Sequence, residues 1–257
     1  MSTEIYYESV SALILAGGKG TRMKSDLPKA LFKVGNDTII EHIVKAVSVK
    51  AVSSVAVVVS PSNIDPIRKV LGSKAEYILQ PEAKGTGHAV MCAEPALKGR
   101  SENIIIFVGD APFITQEMVT DLINIHVKNN NACTFYTAFY ETGYIPPYGR
   151  IVRDYSGRIL KVVEEKDASQ DQKAIREVLT SHYCFRTDKL FGALKNISNE
   201  NSGKEYYLTD VIGILIEAGE RVETVPAEDP AFLAGINTQE ELGLRTIEMN
   251  EYLRIHK

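Results

Sequence analysis

The stretch Leu15-Ala16-Gly17-Gly18-Lys19-Gly20-Thr21-Arg22-Met23 decides the fold, because it joins a short apolar run to a glycine-rich loop. The run, residues 12–15, is continuously apolar, which is typical of a strand buried on both faces of a parallel sheet. Glycines directly after such a strand let backbone N–H groups approach phosphate oxygens, and Lys19 and Arg22 add positive charge. The loop therefore predicts a phosphate site at the end of the first strand.

Two common phosphate motifs do not match this loop. A Walker A loop needs four residues between its first glycine and Gly-Lys-Ser/Thr, and this spacing is missing. A dinucleotide fingerprint needs a third glycine where Met23 stands, which disfavours an NAD-type dehydrogenase. The plain alternative is a glycine-rich turn without a function.

Two further apolar runs, residues 55–59 and 104–108, are rich in β-branched residues and predict buried parallel strands. Helical patterns lie between the runs. One covers residues 39–47, with Asp37 or Thr38 as its N-cap, and another covers residues 86–97. Alternating strands and helices predict an α/β fold with a doubly wound, mostly parallel sheet. In such folds ligands bind at the carboxyl ends of the strands.

The middle of the chain has a different pattern. Residues 134–140, 150–153 and 159–163 predict strands separated by glycine and proline turns. We interpret residues 1–237 as one domain that includes a substrate-binding section at about 134–210. Residues 238–257 are charged and helix-like, and predict a C-terminal helical arm.

Composition narrows the function further. A net charge of −4 gives no general reason to expect nucleic-acid binding. The three cysteines form no CxxC pair and predict reduced thiols, so we expect a cytoplasmic protein. No apolar run approaches the length of a membrane span, and residues 1–10 have no signal-peptide core. We expect no membrane partner, and a homo-oligomer is left open.

Further motifs follow in order along the chain. LAGGKGTRM at residues 15–23 and SDLPKAL at 25–31 resemble the signature of sugar-nucleotide pyrophosphorylases, most closely the uridyltransferase domain of the bifunctional enzyme that makes UDP-N-acetylglucosamine. The resemblance extends over residues 12–240 through the blocks QPE (80–82), GTGHA (85–89), VGDAP (108–112), YGRIVR (148–153), VEEKDA (163–168), EYYLTD (205–210) and GIN (235–237). Each block is weak alone, but the ordered set is specific.

The resemblance implies a Rossmann-like, glycosyltransferase-A-like nucleotidyltransferase domain with a sugar-binding β insertion and a C-terminal helix. It implies Mg²⁺ as cofactor, with UTP and a sugar 1-phosphate as substrates. Residues are assigned by matching each block. The implied catalytic residues are Arg22 and Lys29, the metal ligands Asp110 and Asn237, the nucleotide-binding residues Leu15, Ala16, Gly17, Gly18, Gln80, Gly85, Thr86 and Gly109, and the sugar-binding residues Gly149, Glu164, Tyr207 and Thr209.

Chemistry fits these roles, although each residue has a plainer interpretation. A carboxylate at Asp110 is a hard ligand suited to Mg²⁺, but an aspartate after a strand is often only a turn or cap residue. The amide of Gln80 carries both donor and acceptor groups that suit uracil or thymine, but it is equally an ordinary loop residue. Glu164 is either a partner of sugar hydroxyls or a solvated charge, and Thr209 is either a pocket residue or a helix N-cap. We interpret His88 as structural.

The chain departs from the family pattern around the sugar. Leu179-Thr180-Ser181 stands where the family has Asn-Thr-Gly, and Ile145-Pro146-Pro147 replaces a Thr-Gly stretch. These changes favour a sugar other than N-acetylglucosamine. The sequence ends at Lys257, so we expect no acetyltransferase domain like that of the bifunctional enzymes. Transfer from TTP or CTP, another phosphorylated acceptor, and a non-catalytic sugar-nucleotide sensor are the alternatives.

Overall fold

A computed structural model describes residues 9–18, 23, 25, 27–141 and 143–255 of the chain. Nine strands build its main sheet: β1 (Val10–Leu15), β2 (Val52–Val59), β3 (Glu76–Leu79), β4 (Asn103–Val108), β5 (Cys133–Phe139), β6 (Arg150–Arg153), β7 (Ile159–Val163), β8 (Glu177–Arg186) and β9 (Val222–Pro226). The α-helices in these ranges are α1 (Ile39–Val47), α2 (Ile64–Leu71), α3 (Thr86–Leu97), α4 (Gln116–Lys128), α5 (Gln170–Lys173), α6 (Thr187–Ala193), α7 (Asp210–Glu217) and α8 (Gln239–Ile255).

The sheet is mostly parallel. Its strand order is β9-β5-β8-β4-β1-β2-β3, with β6 paired to β8 and β7 paired to β6. Strand β1 pairs in parallel with both β2 and β4, and β2 pairs in parallel with β3. Strand β9 pairs in parallel with β5. Strand β8 runs antiparallel to both of its neighbours in the central order, β4 and β5. The chain leaves β1 toward β2 on one side and later returns to form β4 on the other, so the topological switch point lies between β1 and β4.

Helices cover both faces of the sheet. Along β1, Val10, Ala12 and Ile14 belong to a core shared with α1, α2 and α4, whereas Leu13 belongs to a core shared with α3, α6 and α7. All four side chains are at most 1% exposed. Burial on both faces explains why the strand sequence is continuously apolar rather than alternating.

The predicted doubly wound α/β fold is confirmed. The three predicted parallel strands are β1, β2 and β4, each extended by up to three residues, and the predicted helix at 86–97 is α3. Thr38 caps α1 with a full capping box, since its hydroxyl accepts from Glu41 N–H and the Glu41 carboxylate accepts from Thr38 N–H. No helix in the described ranges is long and apolar enough to cross a membrane.

The middle section does not form a separate sheet. Strand β5 pairs with β8, which pairs with β4 of the nucleotide half, and the hairpin of β6 and β7 is attached to β8 at Val178. The substrate section therefore continues the same sheet as the glycine-rich loop. Strand β8, which has no counterpart among the predicted strands, makes this connection.

A buried histidine links α4 to the sheet. One ring nitrogen of His126, Nδ1, lies 3.0 Å from Thr134 Oγ1, and the other lies 3.1 Å from Asn103 Oδ1. Burial, helped by the positive charge of Arg186, lowers the pKa of His126 from 6.5 to about 4. The folded protein therefore keeps this ring neutral at pH values where the unfolded chain already binds a proton.

We expect the free energy of unfolding to fall as the pH drops from 6.5 toward 4, because only the unfolded state protonates His126 in that window. Above pH 6.5 the ring is neutral in both states and contributes no pH dependence. His126→Gln should reduce the slope of the free energy of unfolding against pH by up to about 1.4 kcal/mol per pH unit, which is the value for the binding of one proton. Urea unfolding across this pH range measures the slope, and equal slopes in the two proteins would contradict the assignment.

Candidate functional site

The carboxyl ends of β1, β3 and β4 open into a cavity of about 470 Å³ at the switch point. The cavity lies where the doubly wound fold predicts a ligand. Its walls contain most of the residues assigned by resemblance. They are Leu15, Ala16, Gly17, Gly18, Lys29, Ala30, Gln80, Ala83, Gly85, Thr86, Ala89, Val108, Gly109, Asp110, Glu205 and Asn237.

The loop after β1 is fixed by the strands on either side. Ala16 N–H donates to Val58 O at 2.9 Å, and Gly109 N–H donates to Leu15 O at 2.9 Å. A Cβ on Gly109 would lie only 2.8 Å from Leu15 O, so a larger residue would push the two strand ends apart. The buried amide of Asn63 donates to Ala16 O at 2.8 Å. The glycine-rich loop thus leaves the sheet in a defined direction.

Three distant parts of the chain meet at a cluster of polar side chains. The ammonium of Lys29 donates to Asp110 Oδ2 at 2.5 Å and to Asn237 Oδ1 at 3.0 Å. The side chains of Lys29 and Asp110 are only 18% and 23% exposed. Lys29 begins the short 3₁₀ turn Lys29–Leu31, whose other two residues are buried. We call Lys29, Asp110 and Asn237 the cation cluster.

The segment before α8 packs directly against Asp110. Ile236 N–H donates to Asp110 O at 2.9 Å, and a Cβ on Gly235 would lie 3.0 Å from Asp110 Oδ1. The Tyr148 hydroxyl accepts from Gly235 N–H at 3.3 Å. Burial raises the pKa of Tyr148 to about 12, and the negative charge of Asp110 adds to this effect. Tyr148 therefore stays a neutral phenol beside the cation cluster.

Gln80, at the end of β3, is only 5% exposed. Its amide nitrogen lies 3.1 Å from Gly85 O and 3.1 Å from His88 Nδ1. Its oxygen faces Gly17, where a Cβ would lie 2.7 Å from Oε1. The sequence suggested that both halves of the amide are offered to a base, but the structure engages the donor half within the protein.

The turn at residues 84–87 is held against the EYYLTD segment. Gly87 N–H donates to Tyr206 O at 2.8 Å, Tyr206 N–H donates to Lys84 O at 2.8 Å, and the Thr86 hydroxyl accepts from Leu208 N–H at 3.1 Å. Gly85 has φ +101°, and a Cβ there would lie 2.5 Å from Tyr206 O. Only glycine fits this backbone and this space.

The four predicted sugar-binding residues lie outside the described lining of the cavity. The Thr209 hydroxyl donates to Glu164 Oε1 at 2.9 Å. It therefore does not cap α7, which has no side-chain cap bond. Burial, aided by nearby negative charges, raises the pKa of Glu164. Gly149 packs against Val162 at the β6–β7 hairpin, and Tyr207 is buried with its hydroxyl against Gly203.

The structure brings together Lys29, Asp110, Asn237 and all eight predicted nucleotide-binding residues. Arg22 lies outside the described residues. Sequence reasoning missed Asn63, Tyr148 and Glu205. Asn63 precedes α2 and is typical of an N-cap, but its side chain binds the β1 loop instead. Glu205 stands in the quoted EYYLTD block, which is the signal that identifies it.

The two loop glycines differ in the space around them. A Cβ on Gly17 would meet Gln80 Oε1, which cannot retreat because its amide is held by Gly85 and His88. A Cβ on Gly18 meets no described atom within 4 Å.

We therefore expect Gly17→Ala to lower the free energy of unfolding by about 1–3 kcal/mol, as overpacking does. Gly18→Ala is the matched control, and should leave stability unchanged or raise it by up to about 1 kcal/mol. Urea denaturation measures both. Equal stabilities of the two variants would show that Gln80 is not held as described.

Comparison with known proteins finds relatives over most of the chain. A family model described as MobA-like NTP transferase domain matches residues 12–203. The bifunctional protein GlmU of Streptococcus suis (strain 98HAH33) is 42% identical over 96% of this chain and 52% of its own length. The GlmU proteins of Streptococcus thermophilus (strain CNRZ 1066) and Streptococcus gordonii are 42% and 41% identical over the same shares.

The chain spans about half the length of these curated relatives. The resemblance to the bifunctional enzymes, predicted from the ordered motifs, is confirmed by these relatives, and the prediction of a nucleotidyltransferase domain is confirmed by the family model. Because that model covers most of the chain, this protein belongs to the family of MobA-like NTP transferase domains.

Proposed function

We propose that this protein joins UTP to a sugar 1-phosphate, giving a UDP-sugar and pyrophosphate, with Mg²⁺ as cofactor. The acceptor is N-acetylglucosamine 1-phosphate or a related hexose 1-phosphate. The observation that carries the proposal is the cation cluster at the edge of the glycine-rich cavity. It joins a cation and two oxygen ligands beside a loop suited to phosphates.

The reaction mainly requires that negative charges be aligned and neutralised. An oxygen of the sugar phosphate attacks the α-phosphorus, and the bond from that phosphorus to the pyrophosphate oxygen breaks in line. The attacking phosphate is already ionised at neutral pH, so no protein group has to remove a proton. In this proposal Lys29 and Arg22 stabilise charge at the transferred phosphoryl group, where fixed cations contribute most.

Asp110 and Asn237 would hold Mg²⁺, which when bound neutralises charge on the triphosphate. The donor set fits this ion, since both oxygens are hard ligands. Both also already approach one positive group, the Lys29 ammonium. Two positive groups close to the same oxygens repel each other, so in this proposal Lys29 would turn toward the phosphates when Mg²⁺ is bound.

The nucleotide would occupy the cavity with its phosphates on the β1 loop and its base near Gln80 and Gly85. All of these groups line the same cavity. Uracil fits this placement, and thymine presents the same hydrogen-bonding edge. TTP is therefore the alternative donor closest to UTP, and CTP is a more distant one.

In this proposal the sugar binds next to the Glu164–Thr209 pair. The negative charge of Glu205, which lines the cavity, helps to raise the pKa of Glu164, so the pair lies near the cavity. Leu179 replaces the family asparagine there. Its side chain is 2% exposed and packs in the core, and the Thr180 hydroxyl donates to Tyr136 O at 3.0 Å. Leu179 cannot replace the lost amide, and the Thr180 hydroxyl is already engaged within the protein. This favours a sugar without the acetamido group.

Asp110→Ala should lower pyrophosphate release from UTP and a sugar 1-phosphate by roughly 10²–10³-fold, because it removes charge stabilisation in the transition state. Its free energy of unfolding should fall by roughly 1–3 kcal/mol, because the mostly buried Lys29 ammonium loses its carboxylate partner but keeps the Asn237 oxygen. A coupled pyrophosphate assay gives kcat/KM, and urea denaturation gives stability. Asp65→Ala is the matched control, because this carboxylate on α2 is 90% exposed and should not affect turnover.

A folded Asp110→Ala protein with normal turnover in Mg²⁺ would contradict the proposal.

The same assay tests which sugar 1-phosphate is preferred. Because an unpaired polar group in a closed site costs roughly 1–3 kcal/mol, we expect glucose 1-phosphate to be preferred over N-acetylglucosamine 1-phosphate by about five- to hundredfold. A preference of roughly hundredfold for N-acetylglucosamine 1-phosphate over glucose 1-phosphate would show that Leu179 has no effect on sugar choice.

A further inference from the structure

The Gln80 amide is held on its nitrogen side by two acceptors. Gly85 O and His88 Nδ1 each lie 3.1 Å from Nε2. An amide NH₂ has two hydrogens, so these two contacts use both of them. The donor half of this side chain is therefore fully engaged inside the protein.

The first acceptor fixes which end of the amide is the nitrogen. A backbone carbonyl only accepts hydrogen bonds, so the group facing Gly85 O must be the NH₂. The direction of that carbonyl is set by the turn, where Gly85 has φ +101° and both Lys84 O and Gly87 N–H bond to the backbone of Tyr206 at 2.8 Å. The turn thus sets one of the two hydrogen bonds of the amide, and the second is needed to fix the plane of the group.

The second acceptor defines the state of the His88 ring. Nδ1 can accept from Gln80 only if it carries no proton, so the neutral ring holds its proton on Nε2. Nε2 lies 3.9 Å from Cys92 Sγ, one helical turn further along α3. Burial raises the pKa of the Cys92 thiol, so the neutral sulfur remains as a weak acceptor for that proton.

These contacts leave the carbonyl of Gln80 as its functional end. Oε1 accepts no hydrogen bond from any residue in the described ranges, and Gln80 lines the cavity beside Gly17. A fixed acceptor suits a base with an N–H group at the centre of its pairing edge. Uracil and thymine carry N3–H there, whereas cytosine carries a lone pair on N3.

We propose that His88 is a positioning residue that aims the Gln80 carbonyl into the cavity and thereby selects uracil or thymine over cytosine. The inference rests on the proposed binding of a nucleoside triphosphate in this cavity. It gives the histidine of the GTGHA block a role through its contact with Gln80. His88 acts through Gln80 and does not itself need to touch the nucleotide.

The test compares UTP with CTP in two ways, by direct titration for Kd and by kcat/KM with one sugar 1-phosphate. Wild type should prefer UTP. His88→Leu and His88→Phe remove the ring acceptor and let the amide rotate, so each should reduce the UTP-to-CTP ratio by about tenfold, the equivalent of one hydrogen bond. His88→Asn is the conservative variant, since its Oδ1 falls near the position of Nδ1, and should retain the preference.

A double-mutant cycle shows whether His88 acts through Gln80. Gln80→Leu should abolish the preference, and adding His88→Leu to it should change the ratio no further. Melting curves show which variants are folded. Leu and Phe differ in shape, so if one replacement of His88 does not fold, the other still provides the test.

An unchanged UTP-to-CTP ratio in folded His88→Leu or His88→Phe, loss of preference in His88→Asn, or additive effects in the cycle would overturn the inference. The Kd measurements separate it from the proposed function. If wild type binds UTP over CTP and the variants lose this preference, but no sugar 1-phosphate is turned over, the reaction proposed above fails and the role of His88 stands. Equal binding of UTP and CTP by wild type would overturn the inference about His88 but not the proposed reaction.

Discussion

The contact of Lys29 with Asp110 and Asn237 is the interaction on which the site depends. An ammonium and a carboxylate that are mostly removed from water stabilise each other only when their geometry is closely defined. The packing around the two groups fixes this geometry. Lys29 is set by a turn with two buried residues, Asp110 by the end of β4, and Asn237 by a segment that bonds to the backbone of Asp110. The arrangement gathers positive charge and oxygen ligands at one point beside the phosphate loop.

The topology explains why residues 81 and 208 positions apart in sequence meet there. Strands β1 and β4 are parallel neighbours with their carboxyl ends at the same edge, and the chain crosses from one side of β1 to the other between β3 and β4. Backbone groups at that edge have no further strand residues to pair with, so they are available to a ligand. Glycines at 17, 85, 87 and 109 permit the close approaches that bring the loops together. The fold thus creates the cavity, and the side chains along its wall define its chemistry.

Local signals in the sequence were sufficient for much of this architecture. Continuous β-branched runs predicted β2 and β4, and the helix at 86–97 was predicted to the residue, because burial on both faces and glycine at a helix start are local properties. The antiparallel insertion of β8 between β4 and β5 was not predictable, since it depends on pairs that are far apart in sequence, such as His182 with Phe107 and Glu177 with Phe139. The side chains of Thr209 and Asn63 each have a plain local interpretation, but they bind partners from distant segments instead. The roles of Arg22 and of the sugar-binding residues remain predictions from the ordered motifs.

Binding of Mn²⁺ in the absence of nucleotide, measured by electron paramagnetic resonance, tests the central claim most directly. If Asp110 and Asn237 form a cation site that the Lys29 ammonium shares, Lys29→Met should bind Mn²⁺ more tightly than wild type by about tenfold, since a competing positive charge is removed. In the same account Asp110→Ala should bind it more weakly. Equal Mn²⁺ affinity in wild type and both variants would show that these three residues form a structural contact and not a metal site.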